Sequence, residues 1–208
     1  MDAIDDRLKD ISEIRSLMEQ SSKFLSLSGL SGISAGIVGL VAAGLAEWTI
    51  LRSGTPTSDG ASQVIDKGSL TAFFIITAFL TLVAALSLAA FFSIRMAREK
   101  SLPVWTKSAK SLVLSLFVPL SAGGAFCIIL LYHNLVFLII PSMLIFYGLA
   151  LFNSSKYTLD EIRYLGVTEI CLGLIASIWT QFGLVFWGIG FGALHIIYGT
   201  LMYFKYEK

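Results

Sequence analysis

Two ionisable side chains, Glu169 and His195, stand inside one long apolar stretch of the sequence, residues 164–204, where no other Asp, Glu, Lys or Arg occurs. A carboxyl and an imidazole can share a hydrogen bond, pass a proton between them, or together hold a cation. Each costs at least about 3 kcal/mol when placed alone in hydrocarbon, so an ionisable group in such a setting is a candidate for function and is expected to have a partner. Three roles fit these residue types: a structural pair that locks two helices, a proton- or ion-handling site, and a contact to a metal or substrate.

Other chemistry has little to stand on. The chain has no Gly-x-x-x-x-Gly-Lys-Ser/Thr loop, no Gly-x-Ser-x-Gly and no His-Glu-x-x-His, so nucleotide hydrolysis, serine hydrolysis and zincin chemistry lack their motifs. Gly188-Ile189-Gly190-Phe191-Gly192 lies in an apolar run and reads as packing, not as a dinucleotide loop. His133 and His195 fall at different depths, which argues against a bis-histidine haem. Cys127 and Cys171 are isolated in apolar runs and read as small apolar residues. No enzyme, cofactor or metal is expected.

The elements that must position Glu169 and His195 follow from composition. Of 208 residues, 56% are hydrophobic and 14% charged, with a mean hydropathy of +0.80. That is too little charge for an ordinary soluble domain, where about 25% of residues carry one. A net charge of +1 gives no general attraction to nucleic acid. Charge-free runs then mark the spans, since a bilayer core of about 30 Å takes about 20 helical residues. Residues 24–46 and 68–94 each suffice for one crossing. Residues 111–155 are too long for one and fold back at Tyr132-His133-Asn134; residues 164–204 fold back at Gln181-Phe182-Gly183.

The expected fold is therefore all-α: a polytopic membrane protein of six transmembrane helices in three hairpins, near 24–46, 70–94, 111–131, 135–153, 165–181 and 184–204. Residues 1–22 precede this 23–208 domain, and Ile4, Leu8, Ile11, Ile14 and Met18 recur there at helical spacing, which predicts a cytoplasmic amphipathic helix. A cleaved signal peptide ending near Ala43–Ala46 is the rival reading of span one, disfavoured by the long acidic arm before it. The arm's net acidity argues against binding to anionic lipid. It suits packing under the basic loop Arg95–Lys110, or docking to a cytoplasmic partner or a second copy.

Lys and Arg are one-sided. The two ends and the second and fourth loops hold 13, while the other side holds only Arg52 and Lys67. Positive charge is retained in the cytoplasm, so both termini are expected there. Glu47, Arg52 and His133 then form a candidate polar cluster at the outer face, with Glu47 either solvated or paired to Arg52 or His133. Trp48, Tyr132, Trp179 and Trp187 fall near the same interface. Pro119 and Pro141 are expected to bend spans three and four.

Small residues let helices approach closely in lipid. Gly29, Gly32, Gly36, Gly39 and Ala43 form one stripe on span one; Gly166, Glu169, Gly173, Ala176 and Thr180 form one on span five; Gly188, Gly192, His195 and Gly199 form one on span six. A fold-back near Phe182 sets Gly173 level with Gly192, Ala176 with Gly188, Gly166 with Gly199, and Glu169 with His195. The last pair is expected within reach of a hydrogen bond, directly or through one water. Glu13-Ile14-Arg15 and Glu161-Ile162-Arg163 form a short repeat that would fit a duplication of spans one and two as five and six.

The last hairpin, from Leu165-Gly166 through Glu169-Ile170 and Leu172-Gly173 to Phe186-Trp187 and Leu194-His195-Ile196-Ile197-Tyr198-Gly199, resembles repeats of the HdeD-like acid-resistance family of bacterial membrane proteins, which are built from three transmembrane hairpins. About 40 residues carry the resemblance; the acidic arm and the Arg52–Ser69 loop depart from it. It implies a bacterial inner-membrane location. The expected role is a non-enzymatic structural or regulatory membrane component, embedded in lipid and able to form a homo-oligomer. The alternative is a small proton-, ion- or solute-handling transporter or channel using Glu169 and His195.

Overall fold

The computed structural model describes residues 27–53, 67–101 and 103–208. The amphipathic helix expected over residues 1–22, the first copy of the Glu-Ile-Arg repeat and most of the Arg52–Ser69 loop lie outside the described residues. The elements are α1 (Gly29–Ser53), α2 (Lys67–Glu99), α3 (Lys107–Tyr132), α4 (Ile139–Ser154) between single 3₁₀ turns at Val136–Leu138 and Ser155–Tyr157, and α5 (Asp160–Ile178). A 3₁₀ turn at Thr180–Phe182 leads into α6 (Gly183–Trp187), a π-helical segment (Gly188–Leu194) and α7 (His195–Tyr206). The described residues are all-helical, with no strand.

As rods these make six helices, five of them long and apolar enough to cross a membrane: Gly29–Arg52, Ala72–Glu99, Lys107–Tyr132, Val136–Tyr157 and Thr180–Tyr206. The sixth, α5, carries Asp160, Glu161, Arg163 and Glu169 within 19 residues, and their spread, which leaves no long charge-free stretch, sets it apart from the others. Helices outrun the charge-free runs that announced them. Span one does not stop before Glu47 but continues to Ser53, and span two is extended at both ends, because a charge at a helix end can stand clear of the apolar layer without breaking the backbone ladder. Span five runs earlier than expected, ending at Ile178. Pro141 occupies the first turn of α4, where a missing N–H breaks no helical bond; of the two prolines only Pro119 lies in the interior of a helix, beyond its first turn.

The turn between α3 and α4 has a local cause. Asn134 takes a left-handed φ of 58°, which Asn tolerates better than most residues. Leu135 N–H then donates to Leu130 O at 2.8 Å and Asn134 N–H to Leu131 O at 3.0 Å, the Schellman pattern that closes a helix end. Thr106 opens α3, its hydroxyl accepting from Ala109 N–H at 3.1 Å.

Glycines decide which helices touch. A Cβ on Gly36 would lie 2.7 Å from Gly192 O, and one on Gly32 3.0 Å from Gly199 Cα; Gly29 faces Gly199 and Tyr203, and Gly39 faces Phe191 and Gly192. The stripe on α1 therefore lies backbone to backbone against the last helix. Gly188 at its far end meets Ala43 at an ordinary 3.7 Å. The stripe on α5 faces elsewhere. A Cβ on Gly166 would lie 2.8 Å from Gly148 O, and one on Gly173 2.9 Å from Pro141 O. Gly173 and Gly192, and Gly166 and Gly199, expected level with each other in the last hairpin, are thus not packed on one another: Gly166 and Gly173 pack on α4, and Gly192 and Gly199 on α1.

One face of the molecule collects four helix ends. Glu207 accepts from Ser28 Oγ at 3.1 Å and from Gly29 N–H, capping α1. Glu161, in the first turn of α5, accepts from Lys205 Nζ at 2.6 Å and from Tyr206 Oη at 3.0 Å. Lys100, just beyond α2, donates to Tyr206 O at 3.0 Å.

Candidate functional site

Glu169 sits midway along the buried face of α5, which runs Ile162, Leu165, Gly166, Glu169, Gly173, Ala176. Its side chain is 0% exposed. The carboxyl lies against Gly190, where an added Cβ would stand 2.6 Å from Glu169 Oε2 and 2.5 Å from Leu144 Cδ2; only glycine leaves that room. Glu169 Oε1 is 3.6 Å from His195 Nδ1, beyond a hydrogen bond. Neither carboxyl oxygen has a hydrogen-bond partner among the described residues.

His195, 6% exposed, is held at both nitrogens. Nδ1 lies 2.9 Å from Gly190 O. A carbonyl can only accept, so Nδ1 carries a hydrogen. In the neutral ring Nε2 is then the acceptor, and it receives the Tyr147 hydroxyl at 2.6 Å. The π-helical segment makes the first of these bonds: its wide turn brings the side chain of His195 back over a carbonyl five residues earlier. Tyr147 also stacks on His195 at 5.3 Å between centroids, and Phe191 lies 5.1 Å from Tyr147 and 6.2 Å from His195, with Trp187 behind it at 5.5 Å.

The structure thus brings Glu169 and His195 into one pocket of side chains, but the hydrogen bonds of the imidazole go to Gly190 and Tyr147 instead of to the carboxyl. Sequence reasoning missed both of these partners. A tyrosine amid apolar residues before Gly148 was a usable signal, since a buried phenol needs a hydrogen-bond partner. The alternating glycines 188, 190 and 192 were another, because they weaken an α-helix at one place.

Glu47 and Arg52 lie on α1, which packs against α2 and α7, whereas His133 caps the end of α3, which packs against α4. Glu47 and His133 are exposed. The Arg52 guanidinium lies 4.4 Å over the Trp48 ring, and His133 stands edge-on to Tyr132 at 5.2 Å. Cys171 is exposed and Cys127 partly buried. No group of three or more potential metal ligands occurs among the described residues.

No protein-family model matches the chain, and no curated protein or solved structure shows significant similarity to it. The HdeD-like resemblance accordingly rests on the glycine-and-aliphatic pattern of the last hairpin alone, and it brings no activity to this chain.

Proposed function

We propose that the chain is an integral membrane protein whose six helices all cross the bilayer, with both termini cytoplasmic, and that it serves as a non-enzymatic structural or regulatory component. The observation that carries this reading is the surface of α2. Ile76, Phe79, Leu80, Leu82, Leu86 and Phe91 are all exposed along it, and none of its most apolar stretch is buried within the protein. Such a rod is stable only where lipid or another apolar partner replaces water. The gathering of four helix ends on one face supports a common side for the basic ends and loops, and that side is then cytoplasmic. Close backbone packing and the enclosure of Glu169 favour a compact bundle over an open conduit.

The test is sidedness together with flux. Tags inserted at Gly60 and Ser101 of the full chain should be reached from opposite sides of the membrane, and a reporter after Lys208 should report the cytoplasm. Reconstituted protein should pass no solute. Both tags on one side would refute the six crossings. Solute flux lost in Glu169→Gln would replace the structural role with transport.

A further inference from the structure

Two pairs of helices in this bundle touch through their backbones, α1 with the last helix and α4 with α5. Between the pairs the contacts are made by side chains: Tyr147 with His195, Glu169 with His195, Leu144 and Glu169 over Gly190, and Thr168 Oγ1 with Tyr198 Oη at 3.2 Å. The seam between the pairs holds a carboxyl that is 0% exposed and accepts no hydrogen bond among the described residues. An ionised carboxylate without donors is far more costly in such a place than a neutral acid. The groups facing it offer no compensating charge. From α4 the titratable neighbour is Tyr147, whose hydroxyl is bonded to His195. From the last helix it is His195, whose Nδ1 hydrogen is bonded to Gly190 O. On α5 itself the nearest other titratable group is Cys171, on the exposed side.

From this geometry we infer that Glu169 is a proton-binding site closed within the seam, loaded in the form seen here and unloaded only when the two helix pairs part. The inference rests on the helices standing in a bilayer. On unloading, the carboxyl O–H bond breaks, its electron pair stays on oxygen, and the proton passes to water entering the seam. The charge of the Glu169–His195 pair changes from zero to minus one. The Nδ1–H of His195, 3.6 Å from Oε1, can then turn from Gly190 O to the carboxylate, which strips the π-helical segment of a hydrogen bond and couples proton release to the last helix. The ligand is a proton, and the device is a membrane-embedded pH sensor.

Infrared spectra of the full chain in lipid nanodiscs test this directly. At neutral pH one carboxylic-acid carbonyl band should be present, should shift on isotopic labelling of glutamate carbon, and should exchange slowly in deuterated water. It should disappear reversibly as pH is raised, be absent from Glu169→Gln, and be indifferent to replacement of sodium by choline. Faster hydrogen exchange at the amides of Gly190–His195 should accompany its loss. Absence of the band from folded wild-type protein overturns the proposal, as does a band removed by sodium at constant pH, which would make this a cation site. The glutamate label assigns the band even if Glu169→Gln does not fold. Sidedness of the tags tests the bundle, so a correct topology without the band isolates the failure to this site.

Discussion

Tyr147 donates to the one His195 nitrogen that Gly190 leaves free, so removal of its hydroxyl strands a buried acceptor. Tyr147→Phe should lower thermal stability in detergent by about 1 kcal/mol, the size of a lost membrane hydrogen bond. His195→Ala should cost at least as much, because it strands the phenol and empties the space beside the Tyr147 and Phe191 rings. Gly190→Ala forces a methyl against Glu169 Oε2 and Leu144 Cδ2; both are ends of side chains that can turn aside, so the expected loss is about 1–2 kcal/mol, within the range for overpacking. At this scale the sequence spoke in part. Glu169 and His195 were conspicuous because charge is rare in an apolar run. Their true hydrogen-bond partners were not, because Gly190 offers only a carbonyl, which every residue has, and Tyr147 lies 48 residues from the ring it binds.

Among the helices, a glycine stripe declares that some backbone comes close without saying which. Gly36→Ala should separate α1 from the last helix, since the new Cβ would meet Gly192 O at 2.7 Å and Ile196 N at 2.9 Å, and backbone yields less readily than a side chain. A loss of about 1–3 kcal/mol in reversible unfolding is expected. Gly44→Ala is the control: nothing lies within 4 Å of its Cβ, and stability should be unchanged or slightly higher. The stripes on spans one, five and six were all legible in the sequence, and so was the tip at Asn134. The pairing of the stripes was not, because equal depth in a hairpin fixes level but leaves rotation about each helix axis free. The π-helical segment was illegible for another reason: it is a choice of backbone register, and periodicity of side chains does not report it.

For the whole molecule, the face that gathers four helix ends is sensitive to acid. Burial alone would push the Glu161 carboxyl up, but the bonds from Lys205 and Tyr206 and its own backbone hold it below the usual carboxylate range. A group depressed in the folded state adds stability that is present above its unfolded value and lost as pH falls through the folded one. Melting between neutral pH and about pH 3 should therefore fall further in wild type than in Glu161→Gln, by a modest amount because Lys205 is mostly exposed. Charge-free runs had announced six helices, and six rods stand among the described residues, whereas the fastening of the ends depends on Lys205, Tyr206 and Glu207, whose partners lie as much as 179 residues away. That separation has a consequence for biogenesis. The first described helix leaves the ribosome roughly 10–35 s before the residues that cap it, at about 5–20 residues per second. Until the last helix has been made its glycine face has no mate, so the first helix must be held apart or chaperoned, and the bundle can close only once residues 191–203 have emerged. Nascent chains stalled before residue 195 should remain susceptible to proteases, and chains that carry residues 195–208 outside the ribosome should be resistant.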